Sequence, residues 1–293
     1  MPHMSSAETV LVVGEALVDV VLEADGSRRE MPGGSAANVA VALARLGRPV
    51  RFATAYADDR LGGLLAEHLA GSGVEHAGDP LVLDHTSSAQ ATLDEDGSAS
   101  YEFDLEWRLG PVPALSPRAV HVCSIGAVLA PGCEDVVSLL EGLDDDVMVT
   151  YDVNARPSIT GTGAAVVAQV ERVAALCDVV KASDEDLEHL WPGLGEAGAA
   201  SRLLDLGASG VVVTRGGSGA VWYDASGSVA VESVPTTVAD TIGAGDTFSA
   251  GIVDALWEDR DRDRGEVLAH AARLAAVTVS RPGADPPWSH ELD

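Results

Sequence analysis

The chain has 293 residues, and its 46 Asp and Glu residues against 18 Lys and Arg residues give a formal net charge of −28. Proteins that bind nucleic acid need a basic face to neutralise phosphates, so this charge excludes a broad nucleic-acid interface. Apolar residues make up 46% of the chain, as in packed globular proteins. No apolar run approaches the ~20 residues of a membrane-spanning helix, and the three cysteines are too scattered for a disulfide framework. We therefore expect a cytoplasmic protein without a membrane or nucleic-acid partner.

Strand and helix patterns alternate along most of the chain, which predicts a mainly parallel sheet covered by helices. Strands are predicted at 9–13, 119–123, 147–152, 179–181 and 211–214. Helices are predicted at 35–46, 61–70, 134–143, 164–176, 184–190, 197–206, 244–257 and 265–279. The sequence contains no internal repeat and no low-complexity linker, so a single domain over residues 1–293 is the simplest interpretation.

The region 88–107 departs from this alternation. Two segments of alternating apolar and polar residues flank Asp-Glu-Asp-Gly at 94–97, which predicts an antiparallel hairpin that projects as a flap. A second hairpin is predicted at 219–234. We expect one face of the flap to meet apolar groups and the other to meet water.

The segment 239–251 carries the clearest chemical signal. Gly243, Ala244 and Gly245 lie directly before an amphipathic helix, where backbone N–H groups attract anions and glycines leave them unobstructed. Asp246 follows, and its carboxylate could accept the proton of a hydroxyl while the amides hold charge on a transferred phosphoryl group. An alternative is a tight turn in which Asp246 merely favours the positive end of the helix.

A second glycine–helix junction reads Pro-Gly-Gly-Ser-Ala-Ala-Asn over 32–38. The pair Gly33 and Gly34 permits close approach of a ligand, and Asn38 can donate and accept hydrogen bonds with a polyol. The alternative is that the glycines only connect two elements and that Asn38 satisfies its own backbone. Asp19, which follows the first strand region, is a further candidate for binding hydroxyls.

Other polar residues lie at the carboxyl ends of predicted strands, where open α/β sheets bind ligands. They include the stretch from Asp152 to Arg156, Lys181, and the glycine-rich turn that follows Thr214. Ordinary alternatives are a surface lysine and a turn between strands. The eight histidines show no metal-ligand spacing, and no P-loop or dinucleotide motif is present.

Together these segments resemble the ribokinase (phosphofructokinase-B) family of small-molecule kinases. The matches occur in order at 14–19, at Gly33-Gly34 with Asn38, at 214–219 and at 240–246, within a likeness that runs from about residue 10 to 288. The resemblance implies a ribokinase-like three-layer α/β/α fold with a mostly parallel central sheet. It also implies a small β-sheet lid, formed here by segments at about 20–31 and 88–107.

The resemblance implies a role for each matching residue. Asp246 would be the catalytic base, with an anion hole at the backbone of Gly243, Ala244 and Gly245. Residues that would bind the sugar are Asp19, Gly33, Gly34, Asn38 and Arg156. Residues that would bind ATP are Lys181, Ser183, Thr214, Gly216 and Gly219.

Two metal sites are also implied. Family members have Asn-x-x-Glu near Mg²⁺, and this chain has Ser183-Asp-Glu-Asp186, so the candidate carboxylate is one methylene shorter. Family members often bind K⁺ near the position of Asp240. Pro286 and Pro287 make the end of the neighbouring loop differ from that of the family, so the resemblance does not decide whether K⁺ activates this chain.

The implied activity is transfer of the γ-phosphoryl group of ATP to a primary hydroxyl of a small sugar, with fructose favoured. Ribose, 2-keto-3-deoxygluconate and nucleosides are alternative acceptors, and a sugar-binding regulator without catalysis is an alternative class. We expect Phe103, Trp107 and Arg108 in the lid to help select the sugar. Because a lid edge in this family often pairs with a second subunit, a homodimer through the lid is expected.

Overall fold

The computed structural model describes residues 8–23, 27–93 and 99–292. Its strands are β1 Val10–Val13, β2 Leu17–Leu22, β3 Arg28–Gly33, β4 Val50–Ala53, β5 Glu75–His76, β6 Ser88–Leu93, β7 Ala99–Asp104, β8 Ala119–Cys123, β9 Met148–Asp152, β10 Val179–Ser183, β11 Gly210–Thr214, β12 Ala220–Asp224 and β13 Gly227–Val231. Its α-helices are α1 Ser35–Arg45, α2 Arg60–Gly71, α3 Ser124–Val128, α4 Gly132–Glu141, α5 Pro157–Thr160, α6 Ala164–Ala174, α7 Asp184–Leu190, α8 Glu196–Asp205, α9 Ala244–Leu256 and α10 Arg264–Val279.

The large sheet has the strand order β13-β12-β11-β10-β9-β8-β1-β4-β5. The strands from β11 to β5 are parallel, while β12 and β13 form an antiparallel hairpin at one edge. Helices cover both faces, which confirms the predicted three-layer α/β/α fold. The carboxyl ends of the parallel strands therefore lie at one edge of the sheet, where their loops converge.

The side chains of the central strands alternate between two apolar layers, as a strand covered on both faces requires. In β1, Val10 and Val12 belong to the apolar layer that contains residues of α1, α9 and α10, whereas Leu11 and Val13 belong to the layer that contains residues of α4, α6 and α8. The helices on the first face are rich in Ala and Gly and pack closely. A Cβ atom on Gly251 in α9, for example, would lie 2.6 Å from the Ala271 Cα atom in α10.

A small separate sheet has the order β3-β2-β6-β7. Strands β2 and β6 are parallel, and the outer pairs are antiparallel. The predicted strand pair at 88–107 is confirmed as β6 and β7, while its turn at 94–98 lies outside the described residues, as do residues 24–26 of the other lid segment. The hairpin predicted at 219–234 is confirmed as β12 and β13.

The lid prediction was wrong for Trp107. This side chain is buried, donates from Nε1 to the Gly126 carbonyl over 2.9 Å, and lies against Gly132. It therefore belongs to the core and anchors the end of the small sheet to α3 and α4.

Four short elements, β4, β5, α3 and α5, are absent from the prediction. They contain two to five residues each, which is too short for a periodic pattern to identify. None of the helices in the described ranges is long and apolar enough to cross a membrane.

Candidate active site

The Asp246 carboxylate lies in the first turn of α9, where side chains from two other segments converge on it. Its Oδ1 atom accepts a hydrogen bond of 2.7 Å from Ser35 Oγ, and its Oδ2 atom accepts one of 2.8 Å from Asn38 Nδ2. Asn154 Nδ2 donates to Asp246 Oδ1 over 3.3 Å and to Ser35 Oγ over 2.9 Å. The start of α1 and the loop after β9 thus orient a single carboxylate.

Burial raises the pKa of Asp246. The hydrogen bonds from Asn38 and Ser35 act in the opposite direction, and two nearby charges, on Asp152 and Lys181, raise and lower it respectively. A raised pKa makes a carboxylate a better proton acceptor once it is ionised.

The backbone before Asp246 turns sharply to begin the helix. Gly243 has a φ of 75°, and a Cβ atom on it would lie 2.6 Å from the Ala284 Cβ atom. Both the left-handed backbone and the lack of space therefore require glycine at this position. No acceptor among the described residues is hydrogen-bonded to the backbone N–H groups of Gly243, Gly245 and Asp246. These amides lie at the positive end of a 13-residue helix and are suited to an anion.

A cavity of about 540 Å³ is lined in part by Ala244 and Gly245. Ala272, Ala275, Ala276 and Val279 of α10 form one apolar wall, and the segment from Val234 to Val238 contributes to the lining. Four of the predicted ATP residues line it: Ser183, Thr214, Gly216 and Gly219. The fifth, Lys181, is not part of the lining and is buried.

A second group of polar side chains lies where the small sheet meets the start of α1. Gly33 lacks a side chain, and a Cβ atom there would lie 2.5 Å from Asp19 Oδ2. Burial raises the pKa of Asp19 to about 6, and the charge of Arg156 opposes this shift. Arg156 also donates from a guanidinium nitrogen to Asn154 Oδ1 over 2.5 Å. The predicted sugar residues are therefore neighbours.

The two predicted metal-binding carboxylates already have backbone partners. Asp186 accepts hydrogen bonds from the amides of Ser183 and Ala155, at 2.8 and 2.9 Å. Asp240 accepts from the amides of Ile242 and Gly283, at 3.0 and 2.9 Å, which lower its pKa. Within the described residues no group of three or more His, Cys, Asp or Glu side chains could hold a metal ion.

Comparison with known proteins agrees with this arrangement. The sequence model of the pfkB family carbohydrate kinases matches residues 7–291. The chain belongs to this family. It is therefore a phosphotransferase with an alcohol group as acceptor.

Individual relatives cover most of the kinase. A fructokinase from Rhizobium leguminosarum bv. trifolii is 37% identical over 265 residues, which cover 85% of this chain and 80% of the relative. An aminoimidazole riboside kinase from Salmonella typhimurium is 30% identical over 298 residues, covering 96% of this chain and 92% of the relative. The crystal structure of a fructokinase with bound ATP from Xylella fastidiosa has a TM-score of 0.83 at 27% identity and covers 97% of both chains.

The sequence analysis included Ser35 and Asn154 of this carbohydrate kinase within the stretches 32–38 and 152–156 but gave them no role, although both contact Asp246. It likewise gave no role to Glu15 within 14–19, whose carboxylate is buried and accepts hydrogen bonds from the backbone amides of Ser35 and Gly126, each over 3.0 Å. Burial raises the pKa of Glu15 to about 7, against these hydrogen bonds. Glu15 ties the start of α1 to α3, and the position of Ser35 beside Asp246 depends on that tie.

Proposed function

We propose that this carbohydrate kinase transfers the γ-phosphoryl group of ATP to a primary hydroxyl of fructose. The observation that carries the proposal is the position of Asp246 and the adjacent free amides. Gly245 lines the same cavity as Ser183, Thr214 and Gly219, while Asp246 accepts a hydrogen bond from Asn38, one of the predicted sugar residues. A donor and an acceptor could therefore meet at one carboxylate.

In this mechanism the sugar hydroxyl oxygen attacks the γ-phosphorus while the bond from phosphorus to the β–γ bridging oxygen breaks. The hydroxyl proton passes to Asp246, and the products are the sugar phosphate and ADP. The amides of Gly243 and Gly245 would stabilise charge on the transferred group. Because phosphoryl transfer involves little covalent chemistry for the protein, alignment and charge stabilisation account for most of the rate enhancement.

The acceptor would replace the hydrogen bonds that Asp246 now receives. Ser35 and Asn38 hold the carboxylate through a hydroxyl and an amide, groups that a polyol can substitute for. Asn38 would then be free to bind the sugar together with Asp19. Support for fructose comes from the Rhizobium and Xylella fructokinases.

The acidic run Asp184-Glu185-Asp186 fits a cation that arrives with nucleotide phosphates. Asp184 and Glu185 line the cavity, whose lining among the described residues includes no Lys or Arg. Mg²⁺ is commonly held by one or two carboxylates together with substrate phosphates. When bound there, it would offset the negative charge of the triphosphate. Asp186 and Asp240 stay predicted metal residues, for Mg²⁺ and K⁺ respectively.

We also propose that the small sheet acts as a lid and forms a homodimer interface. Strand β7 has a free edge in the described part of that sheet. On this strand Tyr101 is 66% exposed and stacks on Phe103 with 6.3 Å between ring centroids. A cytoplasmic location stays a prediction.

The Asp246→Asn variant tests the proposed chemistry. Asparagine keeps the shape of the side chain but cannot take the proton, so kcat should fall by about 10²–10⁴-fold while ATP and fructose still bind. The measurement is fructose-dependent ADP formation, with binding followed by calorimetry. Glu67→Gln, an exposed change on α2, is the matched control. Turnover near that of the unmodified chain in the Asp246→Asn variant would remove Asp246 from this role.

Nucleosides are the second candidate acceptors, because the Salmonella aminoimidazole riboside kinase is 30% identical. Both activities would use the same phosphoryl-transfer residues and differ only in the acceptor pocket. A screen of fructose, ribose, 2-keto-3-deoxygluconate and nucleosides with ATP separates them by kcat/KM. A higher value with any nucleoside than with fructose would replace our proposal.

A further inference from the structure

Lys181 is the single lysine of the chain, and its buried ammonium group lies near the turn formed by Gly243, Ala244 and Gly245. A Cβ atom on Gly245 would lie only 3.2 Å from Lys181 Nζ. Because Gly245 has no side chain, the ammonium can approach the first turn of α9 from inside the protein. Gly245 also lines the cavity that we assign to ATP.

The ammonium is paired in the interior. Lys181 Nζ lies 2.8 Å from Asp152 Oδ2, and the two side chains are 6% and 0% exposed. Ser249 Oγ donates to the same oxygen over 2.8 Å, while Asp152 Oδ1 has no hydrogen-bond partner among the described residues. Burial lowers the pKa of Lys181, but Asp152, Asp186 and Asp246 together raise it by more, so the ammonium stays charged.

Every element around this pair contributes to the local charge. Asp152 comes from β9, Asp246 from α9 and Asp186 from α7, and all three carboxylates favour the charged ammonium. On β8, burial lowers the pKa of His121 to about 3 and raises that of the Cys123 thiol, so both groups are neutral near pH 7. Lys181 is therefore the single buried cation in the described part of this group, facing three acids.

We propose that Lys181 is a positioning residue of the phosphoryl-transfer site, whose buried charge acts through Asp246 and the Gly245 turn. The cation keeps Asp246 ionised next to Asp152, and it adds positive potential beneath the amides that would receive the phosphoryl group. This inference rests on the proposed function.

A buried ion pair by itself is a weak stabiliser, and an apolar pair of similar volume often serves as well. At Gly245, however, the ammonium lies where charge would develop during transfer, and in a site of low dielectric such a fixed charge has a large effect. The absence of Lys181 from the cavity lining distinguishes this role from direct binding of ATP.

Three variants separate charge from structure. Lys181→Met removes the cation, and Asp152→Asn removes the neighbouring anion. Ser249→Ala removes the other hydrogen bond to Asp152 and leaves all charges in place. Each is purified as the full chain and compared by thermal melting, by calorimetric titration with MgATP, and by kcat from pH 5 to 9.

The charge model predicts shifts of opposite sign. Without the cation the pKa of Asp246 rises. In Lys181→Met, therefore, the acid limb of the pH profile, where kcat falls as Asp246 is protonated, moves to higher pH, and kcat at pH 7 falls on the order of tenfold. Without the Asp152 anion the acid limb moves to lower pH. In Ser249→Ala the acid limb of the pH profile of kcat stays in place. The dissociation constant for MgATP changes less than about twofold in all three variants. Lys181→Arg, which keeps the positive charge, retains the acid limb of the unmodified chain.

Two outcomes would overturn the proposal. In one, Lys181→Met weakens MgATP binding about tenfold without moving the acid limb, which indicates direct phosphate contact. In the other, all three variants lose stability and keep the original limb, which indicates a structural pair only. If Lys181→Met does not fold, Lys181→Gln replaces it as the variant without the cation, and the charge model again predicts an acid limb at higher pH. These results are distinct from failure of the proposed function, in which Asp246→Asn would remain active.

Discussion

The missing side chain of Gly33 determines how closely Asp19 approaches the backbone at the end of β3. Asp19 lies opposite Met31 in the pairing of β2 with β3, and Gly33 lies two residues further on the same face. A methyl group on Gly33 would occupy the space of Asp19 Oδ2, 2.5 Å away. The carboxylate that we assign to sugar binding therefore depends on this glycine.

Gly33→Ala should weaken sugar binding selectively. Displacing the Asp19 carboxylate removes a charged hydrogen-bond partner of the sugar, worth about 1.5–3 kcal/mol, so the KM for fructose should rise roughly tenfold or more, while the KM for ATP stays within twofold of its original value. Steady-state kinetics with each substrate varied in turn give both constants.

Gly63→Ala is the matched control, because Gly63 is exposed in α2 and an added Cβ meets nothing within 4 Å. It should stabilise the helix by about 0.5–1 kcal/mol and leave both KM values unchanged. An unchanged KM for fructose in Gly33→Ala would show that Asp19 does not bind the acceptor.

At the level of elements, Asp186 joins α7 to the loop that orients Asp246. Its carboxylate closes a capping box with Ser183 at the start of α7, and its other oxygen accepts the amide of Ala155. Asn154, next to Ala155, donates to Asp246. One carboxylate thus fixes a helix start and the loop that carries an active-site asparagine.

Asp186→Asn should lower the stability of the fold. An asparagine can accept through one atom only, so one of the two buried amides would lose its partner at about 1–3 kcal/mol, and the melting temperature should fall by about 2–4 °C per kcal/mol. Asp184→Asn, the same chemical change at an exposed neighbouring residue, should change stability by less than about 0.5 kcal/mol. Equal melting shifts in the two variants would contradict the role of the capping box.

The elements that were predictable from the sequence are those whose pattern is local. Helix α9 follows from Gly243 and an apolar periodicity over 13 residues, and β6 and β7 follow from alternation on both sides of one turn. Strand β4 has four residues, and its partner β1 lies 40 residues earlier, so its identity comes from long-range pairing that a local pattern does not contain.

The same distinction separates the predicted site residues from the missed ones. Asp246, Gly33 and Asn38 belong to short motifs, and the structure brings them together. Glu15 and Asn154 act through groups 20 and 92 residues away, and a buried acid beside a glycine carries no local sign of its partners. The one available signal was that Glu15 is a charged residue inside an otherwise apolar strand region.

For the whole molecule, the small sheet matters because it leaves the aromatic side chain of Tyr101 66% exposed. Tyr101 and Phe103 lie on the same face of β7, and through Ala89 of β6 that face continues to Asp19 of β2. Exposed aromatic rings favour burial against another surface, and a free strand edge favours pairing with a second strand. A second copy of the chain would satisfy both.

Tyr101→Glu should therefore convert a dimer to a monomer. Sedimentation velocity at micromolar protein concentration should give twice the chain mass for the unmodified protein and the chain mass for the variant, because a carboxylate desolvated in an apolar interface is strongly unfavourable. Leu194→Glu makes a comparable change at a residue that is 47% exposed and lies between α7 and α8, so it should remain dimeric. A monomeric unmodified protein would refute the dimer, and loss of the dimer in Leu194→Glu alone would place the interface on the α7–α8 side of the large sheet.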